Sequence, residues 1–241
     1  MRLSIVIPVL NSHEVVRRQI LYFASMGFSE DVEVILVDDG STPPLSVNGT
    51  AVRNLRIFPT NDFRPWTQPL ARNAGAKVAT GDFLLMTDID HIVPKRTIEW
   101  ACTMPYDYAR FRREFGVLDE DGVFHQEIHI LERYGFDTKR LPTRGLKLPC
   151  HTQSMVIRRS VFEATGGYPT DRATSYPTHD DGRMKGRIGR VARNQSVVKC
   201  PDDKDNDQRE LIYMFPNGKY CGDINYNPFG LFHDLSRKRV A

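Results

Sequence analysis

A short apolar strand that ends in two acidic residues constrains this fold more than any other feature. Gly81 precedes the run 82–86, and Asp88 and Asp90 follow it. An uninterrupted apolar run of this length after a glycine turn is typical of a strand buried on both faces of a sheet. In open α/β sheets the carboxyl ends of the strands are where ligands bind. The sequence therefore predicts a central strand that presents two carboxylates at a ligand-binding edge.

The pair Asp88-Ile89-Asp90 has two interpretations. Two carboxylates at a strand end suit a hard divalent cation that keeps several waters and also takes phosphate oxygens. The same residues also form ordinary polar turns, so the pattern alone does not decide between a metal site and a turn. The decision depends on the rest of the chain.

The N-terminal segment predicts a strand-helix-strand unit. The run 3–8 lacks alternation and is typical of a strand buried on both faces. We expect Asn11 to be the N-cap of the next helix, with Glu14 completing a capping box, and Gly27 to end that helix. The run 32–37 predicts a second buried strand. Such a unit opens a nucleotide-binding half of a doubly wound sheet.

Periodicity and turn residues predict the remaining elements. Apolar residues at a spacing of four predict helices, and Asp-Gly or Asn-Gly predicts hairpin turns. The predicted elements are an edge strand at 55–59, a helix at 68–79, a helix starting at Pro94, a hairpin at 117–124, a basic loop-like segment at 133–149, a strand at 152–158, a helix at 160–164, a strand at 196–200 and a hairpin at 211–221.

Composition limits the classes of protein that this chain can represent. Among 241 residues, 40% are apolar and 26% are charged, which is ordinary for a globular protein. No apolar run approaches the roughly 18 residues that cross a bilayer, and the first strand is too short for a signal peptide. The four cysteines are widely spaced, which favours reduced thiols over disulfides or a zinc site. We expect a cytoplasmic protein without an integral membrane segment.

Basic residues concentrate in the second half although the net charge is only +3. A one-sided charge distribution of this kind favours an anionic partner, whereas most charge runs are solvated faces. The clusters are Arg110, Arg112 and Arg113; Lys139, Arg140, Arg144 and Lys147; Arg183, Lys185, Arg187, Arg190 and Arg193; and Arg237, Lys238 and Arg239.

Five segments in a fixed order resemble the family-2 glycosyltransferases of the GT-A fold. They are the runs 4–8, 37–41, 71–75, 88–90 and 166–168, and the resemblance extends from Leu3 to about Gly189. It implies a Rossmann-like α/β/α sandwich with a central, mostly parallel mixed sheet. It also implies that residues 1–104 bind a nucleotide-sugar, while residues 105–241 form the acceptor-binding and catalytic half of the same domain.

The resemblance assigns roles to individual residues. It implies that Asp88 and Asp90 hold Mn²⁺ or Mg²⁺ against the donor diphosphate, with His233 as the late histidine that completes the metal shell. Asp39 would accept a hydrogen bond from a pyrimidine ring N–H, which favours a UDP-sugar, and Arg72 would face the nucleotide. The full donor-binding set is Pro8, Val9, Asn11, Glu14, Asp39, Arg72, Asp88 and Gly167.

The catalytic base has two candidates. The family has a Glu-Asp pair after the Gly-Gly-Tyr segment, whereas this chain has His179-Asp180-Asp181. Asp180 keeps the position of the carboxylate that removes the acceptor proton in an inverting transfer. A shift of one residue would give that role to Asp181.

Other functions remain open at this stage. Sugar nucleotidyltransferases and NAD-dependent dehydrogenases carry a glycine-rich loop after the first strand, and this chain lacks one. His179 in place of glutamate would fit a catalytically degenerate domain that only binds a nucleotide-sugar or glycan. If the chain is an enzyme, the acceptor is either a glycan or a hydroxymethylated pyrimidine in DNA, whose base must leave the duplex to react.

Overall fold

The structure is a computed structural model. It describes residues 2–46, 52–64, 67–140, 145–148, 154–171, 180–193, 195–196 and 211–216, with the backbone alone at 140, 180, 181, 195, 196 and 211. The described helices are α1 (His13–Met26), α2 (Gln68–Val78), α3 (Lys95–Ala101), α4 (Ile128–Arg133), α5 (Arg159–Ala164) and α6 (Asp180–Val191), with a 3₁₀ turn at Thr138–Arg140.

The strands of the described segments form three sheets. In chain order they are β1 (Leu3–Val9), β2 (Val32–Asp38), β3 (Leu55–Pro59), β4 (Phe83–Met86), β5 (His91–Ile92), β6 (Tyr108–Arg110), β7 (Arg112–Phe115), β8 (Val117–Leu118), β9 (Phe124–His125), β10 (Lys147–Leu148), β11 (Met155–Arg158), β12 (Gln195–Ser196) and β13 (Leu211–Met214).

The main sheet has seven strands in the order β12-β6-β11-β4-β1-β2-β3. β1 is parallel to β2 and β4, and β2 is parallel to β3. β11 is antiparallel to both of its neighbours, and β12 is parallel to β6. The sheet is therefore mixed and mostly parallel, as the sequence predicted.

Both faces of this sheet are covered, because side chains of successive strand residues point to opposite faces. On β1, Leu3, Ile5 and Ile7 belong to an apolar cluster that includes residues of α1 and α3. Val6 belongs to a second cluster, which includes residues of α2, α5 and α6. This arrangement gives the expected α/β/α sandwich.

A second sheet of four strands follows directly from the acidic segment. Its order is β10-β7-β13-β5, and β5 begins at His91, one residue after Asp90. β13 pairs antiparallel with β5 and parallel with β7. The segment 87–90 between β4 and β5, called the acidic turn, therefore joins the main sheet to the second sheet and is held at both ends.

Several predicted elements are confirmed, and two details were wrong. The hairpin at 117–124 forms from β8 and β9, and β3 is the edge strand of the main sheet. The capping box at Asn11 and Glu14 does not form: α1 begins at His13 with Ser12 as its N-cap, and no side chain caps it. The reason is that Asn11 adopts a left-handed backbone with φ 50° and the Glu14 carboxylate binds arginines.

The other error lies in the second half. The segment 133–149 is not simply loop-like, since it contains the 3₁₀ turn and β10. The first strand of the predicted hairpin at 211–221 forms as β13, which pairs with β5 and β7, while residues 217–221 lie outside the described residues. The main sheet draws strands from both sides of residue 104, and the division of function at that residue stays a prediction.

Two further expectations concern cysteines and membranes. Cys102 is a free thiol, while Cys150, Cys200 and Cys221 lie outside the described residues. Within the described residues, no helix combines the length and the apolar character that a membrane crossing requires.

Candidate active site

The carboxyl ends of the parallel strands β1, β2 and β4 lie side by side at one end of the main sheet, which is called the ligand edge below. The chain moves outward from β1 to β2 and β3, then returns to place β4 on the other side of β1. The gap between β1 and β4 is therefore the point where the strand order reverses, which is where α/β sheets open a ligand crevice. Val9, Asp39 and Asp88 all lie at this edge, because each ends or closely follows one of these strands.

Asp88, Asp90 and His91 form a cluster that could hold a metal ion. Each residue offers one ligand atom, and these atoms lie within 4.8 Å of one another. His91 Nδ1 is 3.8 Å from a carboxylate oxygen of Asp88 and 3.6 Å from one of Asp90. The two carboxylates are partly exposed and the imidazole is buried, so the cluster opens to solvent on its acidic side.

Helix α2 supplies two donors to Asp88. Gln68 Nε2 donates to Asp88 Oδ1 at 2.9 Å, and Arg72, four residues later on the same helix face, binds the same oxygen. The helix can lie this close to the sheet because of Gly75, where a Cβ would come within 2.4 Å of Val6. The glycine of the 71–75 segment thus sets the distance between Arg72 and the acidic turn.

The environment of His91 keeps its ring neutral. Burial is the main cause that lowers the pKa of His91 to about 4; the Asp88 carboxylate opposes this shift, and the guanidinium groups of Arg113 and Arg72 add to it. Nδ1 lies 3.2 Å from Ser154 Oγ, and Nε2 lies 3.5 Å from Arg113 Nη1. In one tautomer of the neutral imidazole, Nδ1–H donates to the Ser154 hydroxyl; in the other, Nδ1 offers a lone pair to a metal.

The Gly-Gly-Tyr segment is attached to α2 by side-chain contacts. Asn73 donates to the carbonyl of Tyr168 at 3.0 Å and accepts from its backbone N–H at 2.8 Å. The Tyr168 ring then lies under the guanidinium of Arg72, 5.1 Å from its carbon to the ring centroid. Gly167 has φ 70°, and a Cβ there would meet Asn73 Oδ1 at 2.6 Å. Glycine is therefore required at 167 by backbone conformation and by this contact.

The two aspartates after β2 have different surroundings. Asp38 accepts backbone N–H groups of Ser41 and Leu45 at 2.9 Å each, so it stabilises the turn. Asp39 is buried and accepts from the Thr67 hydroxyl at 2.7 Å and the Thr60 hydroxyl at 3.3 Å. Asp39 thus lies at the ligand edge with hydroxyl partners that a base N–H would have to join or replace.

A model of glycosyl transferase family 2 matches residues 4–166, which is more than half of the chain. The chain belongs to this family. The match contains the acidic cluster, α2 and the segment that leads to Gly166, and it ends before α6.

Two curated proteins are similar to part of this family 2 chain. A prophage bactoprenol glucosyl transferase homolog of Escherichia coli strain K12 is 29% identical over 111 residues. The bactoprenol glucosyl transferase of Shigella phage SfX is 28% identical over 111 residues. In both cases the match covers 42% of this chain and 36% of the relative, so this chain spans only about a third of the length of those proteins.

Solved structures show that the fold is GT-A. Residues 1–349 of S. aureus TarS superpose with a TM-score of 0.53 at 16% identity, covering 89% of this chain and 58% of that one. The mannosyltransferase PcManGT from Pyrobaculum calidifontis, in complex with GDP-Man and Mn²⁺, gives a TM-score of 0.52 at 19% identity, covering 89% and 57%.

The structure brings together only some of the residues that sequence analysis assigned to the family 2 site. Asp88, Asp90 and Arg72 lie together, and Pro8, Val9 and Asp39 lie along the same strand edge. Three assigned residues are engaged in other contacts. The backbone N–H of Asn11 donates to the Ser41 hydroxyl, and the Asn11 side-chain oxygen accepts from the Thr42 N–H. Glu14 pairs with Arg17 and Arg18. Gly167 packs against Asn73.

The predicted base and the late metal ligand cannot be located. The structure describes the backbone of Asp180 and Asp181 at the start of α6 and not their side chains. His179 and His233 lie outside the described residues. Their assignments stay predictions.

Sequence reasoning missed two residues of the site. His91 immediately follows Asp90, and a histidine beside an Asp-x-Asp pair is a signal that could have indicated it. Gln68 is four residues before Arg72, so helical spacing could have predicted that both side chains reach the same partner.

Proposed function

We propose that this chain is a metal-dependent, inverting glycosyltransferase that transfers a sugar from a UDP-sugar to an acceptor hydroxyl. The observation that carries the proposal is the cluster of Asp88, Asp90 and His91 at the ligand edge of a family 2 domain. The acidic pair is kept within a family 2 domain, which favours the enzyme over a degenerate binding domain.

The donor set fits Mn²⁺ or Mg²⁺. Two carboxylates and one neutral imidazole, with ligand atoms within 4.8 Å of one another, suit a borderline-hard cation that keeps waters and binds phosphate oxygens. When bound, such a cation would offset the negative charge that grows on the leaving diphosphate. PcManGT, which shares the fold, was captured with GDP-Man and Mn²⁺.

The residues along the strand edge would bind and orient the donor. Asp39 lies where a buried carboxylate can accept a hydrogen bond from a ring N–H of uracil, beside the backbone of Pro8 and Val9. TarS, another protein of this fold, was captured with UDP-GlcNAc. Arg72 has a positive charge within reach of the acidic turn and could move to a diphosphate oxygen when the donor arrives.

The transfer itself needs a base on the acceptor side. In the proposed step, Asp180 takes the proton from the acceptor hydroxyl while that oxygen attacks the anomeric carbon. The bond from that carbon to the diphosphate oxygen breaks, and its electron pair leaves with the diphosphate. Attack opposite the leaving group inverts the anomeric configuration.

The acceptor hypothesis changes with the structure. Arg110 is buried and Arg112 and Arg113 are only partly exposed, so this cluster is not a solvated surface. Helix α6 instead exposes Lys185 and Arg190, and Arg193 is exposed just after the end of the helix. These cationic side chains support a phosphate-bearing acceptor, of which DNA with hydroxymethylated pyrimidines also provides the hydroxyl.

The names of the two curated relatives favour another acceptor. Both are bactoprenol glucosyl transferases or homologues of one, which points to a lipid-linked substrate. A glycan acceptor fits the same donor site. The acceptor must therefore be decided by experiment, separately from the donor.

The test measures donor cleavage first and acceptor transfer second. Purified protein is incubated with UDP-, GDP- and dTDP-sugars, with Mn²⁺ or with EDTA, and nucleotide release is measured. We expect release from UDP-sugars only when Mn²⁺ or Mg²⁺ is present, and none from Asp90→Asn, which keeps the side-chain volume and loses the charge.

The acceptor arm adds duplex DNA with or without hydroxymethylated pyrimidines and measures sugar on the DNA. Transfer that depends on the hydroxymethyl group supports the DNA acceptor; donor cleavage without such transfer leaves the glycan and lipid acceptors. Full turnover in EDTA by folded protein would contradict metal dependence. No cleavage of any donor under any condition would favour the degenerate binding domain.

A further inference from the structure

A glutamine on the buried face of α1 contacts the backbone of the acidic turn. Gln19 is fully buried, among apolar neighbours on α1 that include Val15, Val16 and Phe23. Its side chain contacts the loop of Asp88 and Asp90 rather than its own helix or solvent. Gln19 belongs to no recognisable sequence motif, so the sequence alone predicts no role for it.

Gln19 Nε2 donates to two backbone carbonyls that flank Asp90. The distances are 3.3 Å to the carbonyl of Ile89 and 2.8 Å to that of His91. Two acceptors on the same nitrogen determine the orientation of the amide, because a flipped side chain would place its own oxygen against both carbonyls. One side chain thus ties the residue before Asp90 to the residue after it.

The remaining carbonyls of the turn have backbone partners. The N–H of His91 donates to the carbonyl of Asp88 at 3.0 Å, and the N–H of Phe215 donates to that of Asp90 at 2.9 Å. Every carbonyl from 88 to 91 is therefore bonded, and Gln19 supplies the bonds that secondary structure does not. Without its amide, the carbonyls of Ile89 and His91 would lose these partners in a buried environment.

The position of Gln19 is unfavourable for folding alone. Its Oε1 is buried and has no hydrogen-bond partner among the described residues. Burying a polar group without a partner destabilises a protein, so leucine or methionine would suit this apolar face better. A benefit at the turn would explain why an amide is placed here.

We propose that Gln19 is a positioning residue for the metal-binding turn, acting through the backbone of Ile89 and His91 to fix the directions of Asp90 and His91. The inference rests on the metal site of the proposed function. Groups that orient metal ligands without touching the metal typically change metal affinity by about 10- to 100-fold when they are removed.

The experiment compares metal binding and stability in the full chain. Mn²⁺ is titrated into the wild type and Gln19→Met, alone and with UDP, and binding is followed by the loss of the free Mn²⁺ signal in electron paramagnetic resonance. Methionine matches glutamine in length and lacks the donor. We expect the Mn²⁺ dissociation constant of Gln19→Met to rise by about tenfold.

A control on the same helix separates positioning from general loss of stability. Phe23 lies one turn further along the buried face and makes no hydrogen bond to the turn. We expect Phe23→Leu to lower the thermal midpoint and leave the Mn²⁺ dissociation constant unchanged. If Gln19→Met does not fold, Gln19→Asn provides the measurement, because its amide is one methylene too short to span both carbonyls.

Two outcomes would overturn the inference in different ways. Normal Mn²⁺ affinity in a folded Gln19 variant, with a wild type that binds Mn²⁺, would make Gln19 a packing residue and leave the proposed function intact. A wild type that binds no Mn²⁺ would remove the metal site itself, and the inference with it.

Discussion

The proposed donor side and the proposed acceptor side of the acidic turn are built differently. On the proposed donor side, Val9 ends one parallel strand, and Asp39 and Asp88 follow two others; the backbones of these strands are bonded to each other over most of their length. On the proposed acceptor side, side chains join α6 to its neighbours: Arg187 donates to the carbonyl of Gly167 at 2.8 Å, Arg183 binds Asp171 at 2.6 Å, and Met184 and Ile188 are buried in the second apolar cluster. Strands joined by backbone hydrogen bonds resist local opening, whereas a helix attached through side chains can adjust to an acceptor.

This difference predicts which mutations alter turnover and which alter stability. Changes on the acceptor side should reduce turnover with little effect on the fold. Changes in the contacts that join the two sides should alter both turnover and stability. Changes at Glu14 and Arg18, which lie away from the acidic turn, should alter stability alone.

The largest effect is expected at the proposed base. Asp180→Asn keeps the size of the side chain and removes its ability to take a proton, so kcat should fall by at least about a hundredfold. The donor dissociation constant should stay unchanged because the strand edge is untouched. Steady-state kinetics and titration with UDP measure the two quantities.

The matched control is Asp181→Asn, one residue further along the same helix turn. A small effect there, with inversion of the anomeric configuration by NMR of the product, supports Asp180. The reverse order of effects would make Asp181 the base, and a retained configuration would remove the single-displacement mechanism.

An intermediate effect is expected where the two sides meet. Asn73→Ala removes both hydrogen bonds to the Tyr168 backbone, which should lower the free energy of unfolding by about 1–3 kcal/mol. The Tyr168 ring should then shift from beneath Arg72, and the KM for the donor should rise because Arg72 orients Asp88. Chemical denaturation and donor kinetics test the two effects.

Asn73→Asp refines this test. The aspartate can still accept the Tyr168 N–H, but its second oxygen would face the Tyr168 carbonyl without a proton between them. Asn73→Asp should therefore be at least as destabilised as Asn73→Ala. If Asn73→Ala loses stability while the donor KM stays constant, the path from Tyr168 through Arg72 to Asp88 has no role in donor binding.

Sequence predicted the donor side better because its signals are local. Buried parallel strands appear as apolar runs, and Gly, Asp and Ser mark the turns after them. The strands β1, β2 and β4 could therefore be located, together with the aspartates that follow β2 and β4. Arg72 could be assigned to the site, but its partner Asp88 is 16 residues away and its stacking partner Tyr168 is farther still. Neither contact follows from periodicity.

The structure of the second half was harder to predict because its contacts also join residues that are far apart in the sequence. The cluster of Arg110, Arg112 and Arg113 was interpreted by charge alone. In the structure β6 places Arg110 in the main sheet, and β7 places Arg112 and Arg113 in the second sheet. The neighbouring strand β13 lies about a hundred residues away, as the contact from Arg113 to Met214 illustrates. The capping box at Glu14 failed because two arginines compete for the carboxylate, one of them held by the β8–β9 region.

The smallest effect is expected behind the donor side, at the contact that replaced the capping box. Glu14 accepts from Arg17 and from Arg18 Nε, each at 2.9 Å. Arg18 is buried and also donates to the Leu118 carbonyl and the Tyr134 hydroxyl at 2.8 Å each, so this contact ties α1 to the β8 strand and α4.

Acid should weaken this contact in a defined pH range. The hydrogen bond from Arg17 is the main cause that lowers the pKa of Glu14 from 4.5 to about 2, with Arg18 contributing, while burial opposes the shift. Because the pKa in the folded state is below that in the unfolded state, the stabilisation is fully present above pH 4.5 and is lost as the pH falls toward 2. Glu14→Gln should therefore be less stable than the wild type at neutral pH, and the difference should shrink over that range.

Urea denaturation of the wild type, Glu14→Gln, Arg18→Met and the double variant measures the coupling between the two side chains at each pH. The coupling should decline with acid, while donor cleavage at neutral pH should match the wild type because neither side chain contacts the acidic turn. A coupling near zero at every pH would mean that Leu118 and Tyr134 hold Arg18 without Glu14. Loss of donor cleavage in Glu14→Gln would instead support Glu14 as a donor-binding residue, as the family resemblance implies, and would show that the two sides are less separate than their contacts indicate.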